Sequence, residues 1–211
     1  MKIKYLNTLA ILGILACIAC SRIPEGFSRE EQALLHGTDS IMRVLTILDP
    51  ADCLTLRTPS CDLSNQALLS EDYATLCSLM VATVTHPSQD GVGIAGPQVG
   101  LNRRVVAVQR FDKEGEPFEV YPNIRIVWAS DSKELGGEGC LSVPDRRGEV
   151  LRSTEIVIEY DVIRCHEEGC EVCLEEENII ETVRDTVSGF TAVIFQHEVD
   201  HLDGILYIDR L

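Results

Sequence analysis

Basic residues are scarce in this 211-residue chain: 18 lysines and arginines stand against 34 acids, a formal charge of −16. Such a balance repels phosphate backbones and leaves no basic stripe for counterion release, which disfavours direct nucleic-acid binding. Long apolar runs are lacking too. The one early run, Leu9 to Ala19, is shorter than the roughly 20 residues of a membrane-spanning helix, and none of that length follows it. Internal repeats and low-complexity tracts are also missing, which leaves a hydrophobic content of 45% to build the core of one ordinary catalytic domain.

What the N-terminus does carry is Lys2, Lys4 and that short apolar run, ending in Leu15-Ala16-Cys17-Ile18-Ala19-Cys20. This is the layout of a secretory signal. A small residue followed by cysteine resembles the lipobox of bacterial lipoproteins, so residues 1–19 are expected to be removed and Cys20 to carry lipid. Cleavage before Cys17 is the competing site, and an uncleaved anchor or buried helix the bland alternative. The expected location is the cell envelope, anchored to the membrane, or the cytoplasm if this is not a signal. Residues 20–41 read as a tether, with a capping box in Ser28-Arg29-Glu30-Glu31 opening a short helix.

Nine cysteines matter in an oxidising compartment. With Cys17 removed, Cys20 lipidated and Cys140 reserved for metal, six are left that could pair. Three of these form Cys165-x4-Cys170-x2-Cys173, similar to part of an iron–sulfur motif but with no evident fourth cysteine. Surrounded by Glu167, Glu168, Glu171, Glu175, Glu176 and Glu177, they read as a solvated insertion between strands.

Along residues 42–211, apolar residues recur at helical spacing from Ser70 to about His86. Short apolar or alternating stretches at 104–108, 124–128 and 155–160 predict strands. The last periodic segment, Gly189 to Leu202, predicts a helix that ends at Gly204 and sets Phe190, Val193, Ile194, His197 and His201 on one face. Helix, strands and helix imply an α+β domain.

That final helix holds His197-Glu198-Val199-Asp200-His201. Imidazoles four residues apart sit one turn apart on one face and can chelate a single ion, with the adjacent glutamate beside the metal as general base and acid. A catalytic site of this kind takes three protein ligands and keeps one position open. Ten residues follow His201, leaving little chain for a later ligand, and Tyr207 stands where the extended metzincin pattern requires histidine. Upstream, Glu138-Gly139-Cys140-Leu141-Ser142 offers Cys140 as the candidate, in a loop leading to Val143-Pro144. The remaining glycine-rich segment, Gly91-Val92-Gly93-Ile94-Ala95-Gly96-Pro97-Gln98, lacks the strand before and helix after that a dinucleotide fingerprint needs. Its glycines suit close approach of a peptide backbone, with Gln98 as an amide donor to a developing oxyanion.

In this order the three segments resemble the signature motifs of peptide deformylases. Gly96 departs from the family's usual alanine, and Pro122-Asn123 reverses a common Asn-Pro pair. The resemblance implies mixed and antiparallel sheets packed around a central His-Glu-x-x-His helix. It implies Cys140, His197 and His201 as ligands of one divalent ion, ferrous iron natively, with zinc, nickel or cobalt able to substitute. It further implies release of formate from N-formylmethionyl peptides, with Glu198 as the proton carrier and Gln98 with the Leu141 backbone N–H as oxyanion donors. Val92, Gly93 and Gly139 would hold the extended peptide backbone, and Phe190, Val193 and Ile194 are the candidates for the methionine pocket. The rival readings are a metzincin-like endopeptidase and a non-catalytic lipoprotein that binds metal or formyl peptides.

Overall fold

The structure, a computed structural model, describes residues 24–164 and 179–211. Cys20, the signal and the Cys165–Cys173 cluster lie outside the described residues. Helices α1 (Arg29–His36), α2 (Pro50–Leu56), α3 (Asn65–Leu68) and α4 (Glu71–Val84) come first. Eight strands follow, with α5 (Gly189–Leu202) near the C-terminus. β1 (Gly93–Ala95), β2 (Val105–Gln109) and β3 (Phe118–Pro122) form one sheet, and β4 (Arg125–Ala129), β7 (Glu155–Arg164) and β8 (Ile179–Ser188) a second. β5 (Lys133–Cys140) and β6 (Val143–Ser153) pair as a separate ribbon, and every named pairing is antiparallel.

Each expected helix has its local cause. In α4 the Ser70 hydroxyl accepts from the Tyr73 N–H, and Tyr73, Leu76, Met80 and Val84 bury one face. Burying an apolar side chain of this size contributes about 1.5–3 kcal/mol. In α1 the capping box forms between Ser28 and Glu31. This helix is docked: Phe27 and Leu35 enter the core, Glu31 pairs with buried Arg103, and Gln32 and His36 bond Asp72. The 20–41 tether is therefore part of the folded body from Phe27 onward.

The unbroken run Val105–Val108 is explained by burial on both faces of β2. Val105 and Ala107 pack on the side of α1 and α4, whereas Val106 and Val108 join Ile156, Ile158 and Phe195 on the side of α5. A strand covered on both faces needs no polar alternation. In β7 the expected alternation is real, with Ile156 and Ile158 buried, but the strand runs on to Arg164 by pairing with β8.

One local expectation is corrected. Cys140 is the last residue of β5 rather than part of a loop, followed by the tight turn Leu141-Ser142. Gly136, Gly137 and Gly139 hide the strand, since glycine has little intrinsic strand preference and only β6 makes it pair. Among the described residues, Cys53 and Cys77, two of the cysteines that could pair, have no disulfide partner.

After α5 the chain turns sharply at Gly204, whose φ is +74° and where a Cβ would sit 2.5 Å from the Arg57 carbonyl oxygen. Both the backbone angle and the contact demand glycine. Gly204→Ala is expected to lower stability by about 1–3 kcal/mol. Urea unfolding followed by circular dichroism will measure this, and an unchanged midpoint would contradict the assignment.

Candidate metal centre

α5 delivers His197 and His201 from successive turns, and the end of β5 delivers Cys140 against them. The three possible ligand atoms lie within 4.8 Å of one another, with Cys140 Sγ 3.1 Å from His201 Nε2. His197 Nδ1 lies 2.7 Å from Glu138 Oε2, which leaves Nε2 as its ligating nitrogen. A thiol and two imidazoles, one held in orientation by a carboxylate, fit a divalent ion of intermediate softness. The Tyr207 ring stacks on His197 at a centroid distance of 6.0 Å, and its buried hydroxyl has no partner among the described residues.

Glu138 belongs to a larger buried array that sequence reasoning missed. Arg152 donates to both its oxygens, at 2.7 and 3.0 Å, and also to Asp200 at 2.6 Å. Asp200 in turn accepts from Arg210. The alternating order His197–Glu138–Arg152–Asp200–Arg210 ties α5 to both strands of the ribbon. Burial works against charge on Glu138, yet hydrogen bonds from His197 and Arg152 outweigh it and hold the carboxyl near about 2. For His197 burial likewise opposes charge, and bonds to Cys140 and Glu138 prevail, raising the metal-free imidazole to about 10. Nothing in the spacing of Arg152, a charged residue between Leu151 and Ser153, announces this role.

Glu198, one residue beyond His197, is pushed up to about 7 by burial in the metal-free protein, and its Oε2 is buried with no partner among the described residues. Gln98 follows β1 in a 3₁₀ turn, Gly96–Val99. Its Oε1 accepts from the Ala95 N–H at 2.8 Å, which turns Nε2 outward toward Ser142 Oγ at 3.3 Å and Cys140 Sγ at 3.6 Å. Two more bonds hold these parts in register: Leu45 N–H donates to the Gln98 carbonyl and Ile47 N–H to that of Ser142. Gly96 itself is sterically required, because a Cβ there would lie 2.6 Å from the Arg103 carbonyl oxygen.

In front of the centre is a cavity of about 780 Å³. Its walls include Val92, Gly93, Gln98, Gly139, Cys140, Leu141, His197 and Glu198, with His201 buried behind. Ile194 is buried in the wall and Val193 partly so, whereas Phe190 is 56% exposed at the rim, its ring against Phe111. β1 is an edge strand of its sheet and β5 pairs only with β6. The cavity thus lies between two strand edges.

The polypeptide deformylase family model matches residues 41–211. The chain belongs to this family. A peptide deformylase of Leptospira biflexa is 32% identical over 179 residues, covering 82% of this chain and 88% of that one. Peptide deformylase 2 of Vibrio cholerae is 34% identical over 172 residues, covering 82% and 87%. Among solved structures, the class I type b peptide deformylase of Acinetobacter baumannii with Met-Ala-Ser bound matches with a TM-score of 0.65 and 32% identity, covering 82% of this chain and 100% of that one. As in a deformylase-type metallohydrolase, the Cys-His-His cluster is suited to a divalent ion.

Glu138→Gln tests the buried array. A carboxyl whose folded value lies near 2, against an ordinary 4.5, contributes stability that is present above pH 4.5 and lost as the pH falls toward 2. Metal-free wild type is therefore expected to lose more stability than Glu138→Gln across that window, read from thermal midpoints. The variant should also bind metal about 10–100-fold more weakly, because nothing ionised then orients His197. Equal affinity in a competition titration would refute that role.

Proposed function

We propose that this deformylase removes the formyl group from N-formylmethionyl peptides, releasing formate and a free amino terminus, with ferrous iron as the native ion. The observation that carries the reading is the convergence of Cys140, His197 and His201 with the unpartnered Glu198 oxygen at the floor of a cleft between two strand edges. When bound by these three residues, the ion supplies Lewis-acid activation of water. Zinc, nickel or cobalt suit the same donors.

The protein's own groups do the rest. Glu198, whose carboxyl is pushed upward by burial in the metal-free protein, is placed to accept a proton and return it to the departing amine nitrogen. Gln98 Nε2, its orientation fixed through Ala95, and the Leu141 backbone N–H donate to the carbonyl oxygen as negative charge develops there. The peptide lies extended along Val92, Gly93 and Gly139 as an added strand. Gly93 is needed for access, because a Cβ there would come within 2.5 Å of Glu198 Oε1 and 2.8 Å of Ile194 Cγ2. Ile194 and Val193 form the wall of the methionine pocket, with Phe190 at its rim.

Anaerobically loaded protein should release formate from formyl-Met-Ala-Ser. Glu198→Ala should lower kcat/KM by about 10²–10⁴ while metal content stays stoichiometric. Fully metallated wild type that releases no formate, or that cleaves internal peptide bonds instead, would overturn the reading.

The N-terminal pattern supports export and lipid attachment at Cys20, with substrates that are free formyl peptides or formylated termini outside the cytosol. Labelled palmitate should enter the wild-type chain and be absent from Cys20→Ser. Recovery of only full-length, unlabelled protein from the soluble cytosolic fraction would sink this proposal.

A further inference from the structure

We propose that Arg146 and Arg147 form a carboxylate-binding site at the mouth of the cleft, selecting formyl peptides that carry a carboxylate within a few residues of the formyl group. The inference rests on the deformylase reading above and deepens it by naming a substrate class.

Its first support is placement. Cys140 pairs with Val143 and Gly139 with Arg147, so Pro144, Asp145 and Arg146 bulge out of β6 between the two pairs. Asp145, at φ +58°, makes the reversal. Consecutive strand residues ordinarily point to opposite faces, but the bulge lets both arginines line the same cavity. The Arg147 guanidinium carbon lies 4.0 Å from where a Cβ would stand on Gly139, the residue preceding the metal-binding thiol. The Arg147 side chain therefore lies over Gly139, beside the β5 residues along which the peptide would run.

The second support is charge. In a chain with 34 acids and 18 bases, arginines readily find carboxylates, as exposed Arg125 does with Asp62 and Arg184 with Glu159. Among the described residues, Arg146 and Arg147 have no carboxylate at ion-pair distance. Asp90 and Asp145 also line the cavity but, among the described residues, form no ion pair with either arginine. Both arginines are solvent-exposed residues, so their donors can meet an incoming anion in the fork geometry that suits a carboxylate. On a surface that otherwise repels anions, this is where an acidic peptide would be drawn in.

The test compares kcat/KM of metal-loaded enzyme for three tripeptides: formyl-Met-Ala-Ser as the free acid, the same peptide as its C-terminal amide, and formyl-Met-Ala-Asp amide. Wild type is expected to favour the free acid over its amide by about tenfold, mainly through KM, as charge-assisted bonds to guanidinium imply. That ratio should shrink about threefold between low and high salt, since exposed charges are screened. Arg146→Gln/Arg147→Gln should bring acid and amide to equality. The Asp amide separates the sources: parity with the free acid means any nearby carboxylate is read, and parity with the neutral amide means the terminal carboxylate alone is read. Equal, salt-independent values for all three peptides in wild type would overturn the proposal, as would a variant that keeps the preference. Failure to release formate from any of them would instead strike the deformylase reading itself.

Discussion

The ion-paired array His197–Glu138–Arg152–Asp200–Arg210 is the constraint on which the metal centre depends. It joins a helix to a two-stranded ribbon that shares no sheet with the rest of the molecule. Buried charges are costly to desolvate, and removing one member of such a pair typically costs about 3–5 kcal/mol because its partner is left uncompensated. Here the alternation of sign compensates each of the three buried inner charges, Glu138, Arg152 and Asp200, twice, once from the ribbon and once from the helix or the C-terminal segment. The same bonds that fix the ribbon's position fix the tautomer of His197, so assembly of the fold and orientation of a ligand are one event.

The opposite wall of the cleft is set by packing. β2 is buried on both faces and holds β1 by three antiparallel pairs, leaving the other edge of β1 toward the cavity. The segment before α2 then bonds Gln98 through Leu45 and Ser142 through Ile47. An amide donor and the turn that follows the Cys140 thiol, far apart in sequence, are thereby held on one short stretch of backbone. The glycines of the first motif serve this close assembly more than they serve flexibility. At Gly93 any side chain would strike Glu198, and at Gly96 it would strike the backbone that carries Arg103.

Much was legible before any coordinates. The 3.6-residue period of α4 and α5 and the capping box of α1 are local signals, and they appear where the spacing puts them. His197 and His201 are legible for the same reason, since four residues of helix fix their separation. The β5–β6 ribbon was not. Its glycines carry no strand preference, and the partner that makes them pair begins only after Cys140. The length of β7 was also hidden, because β8 lies beyond the acidic segment at 167–177.

By itself, then, the sequence determined the chemistry available: a thiol, two imidazoles at helical spacing, a glutamate beside them, an amide after a glycine-rich turn, and a strongly acidic chain. Only the tertiary structure decided how those groups act. It placed Cys140 at a strand end against His201, left one oxygen of Glu198 buried without a partner among the described residues, and enlisted His197 and Arg152 to hold Glu138 ionised. It also turned Arg146 and Arg147 toward the cleft, without acidic partners among the described residues. The physical reason is range: periodicity and caps act within a turn of chain, whereas burial and ion pairing depend on which distant segments are brought into contact.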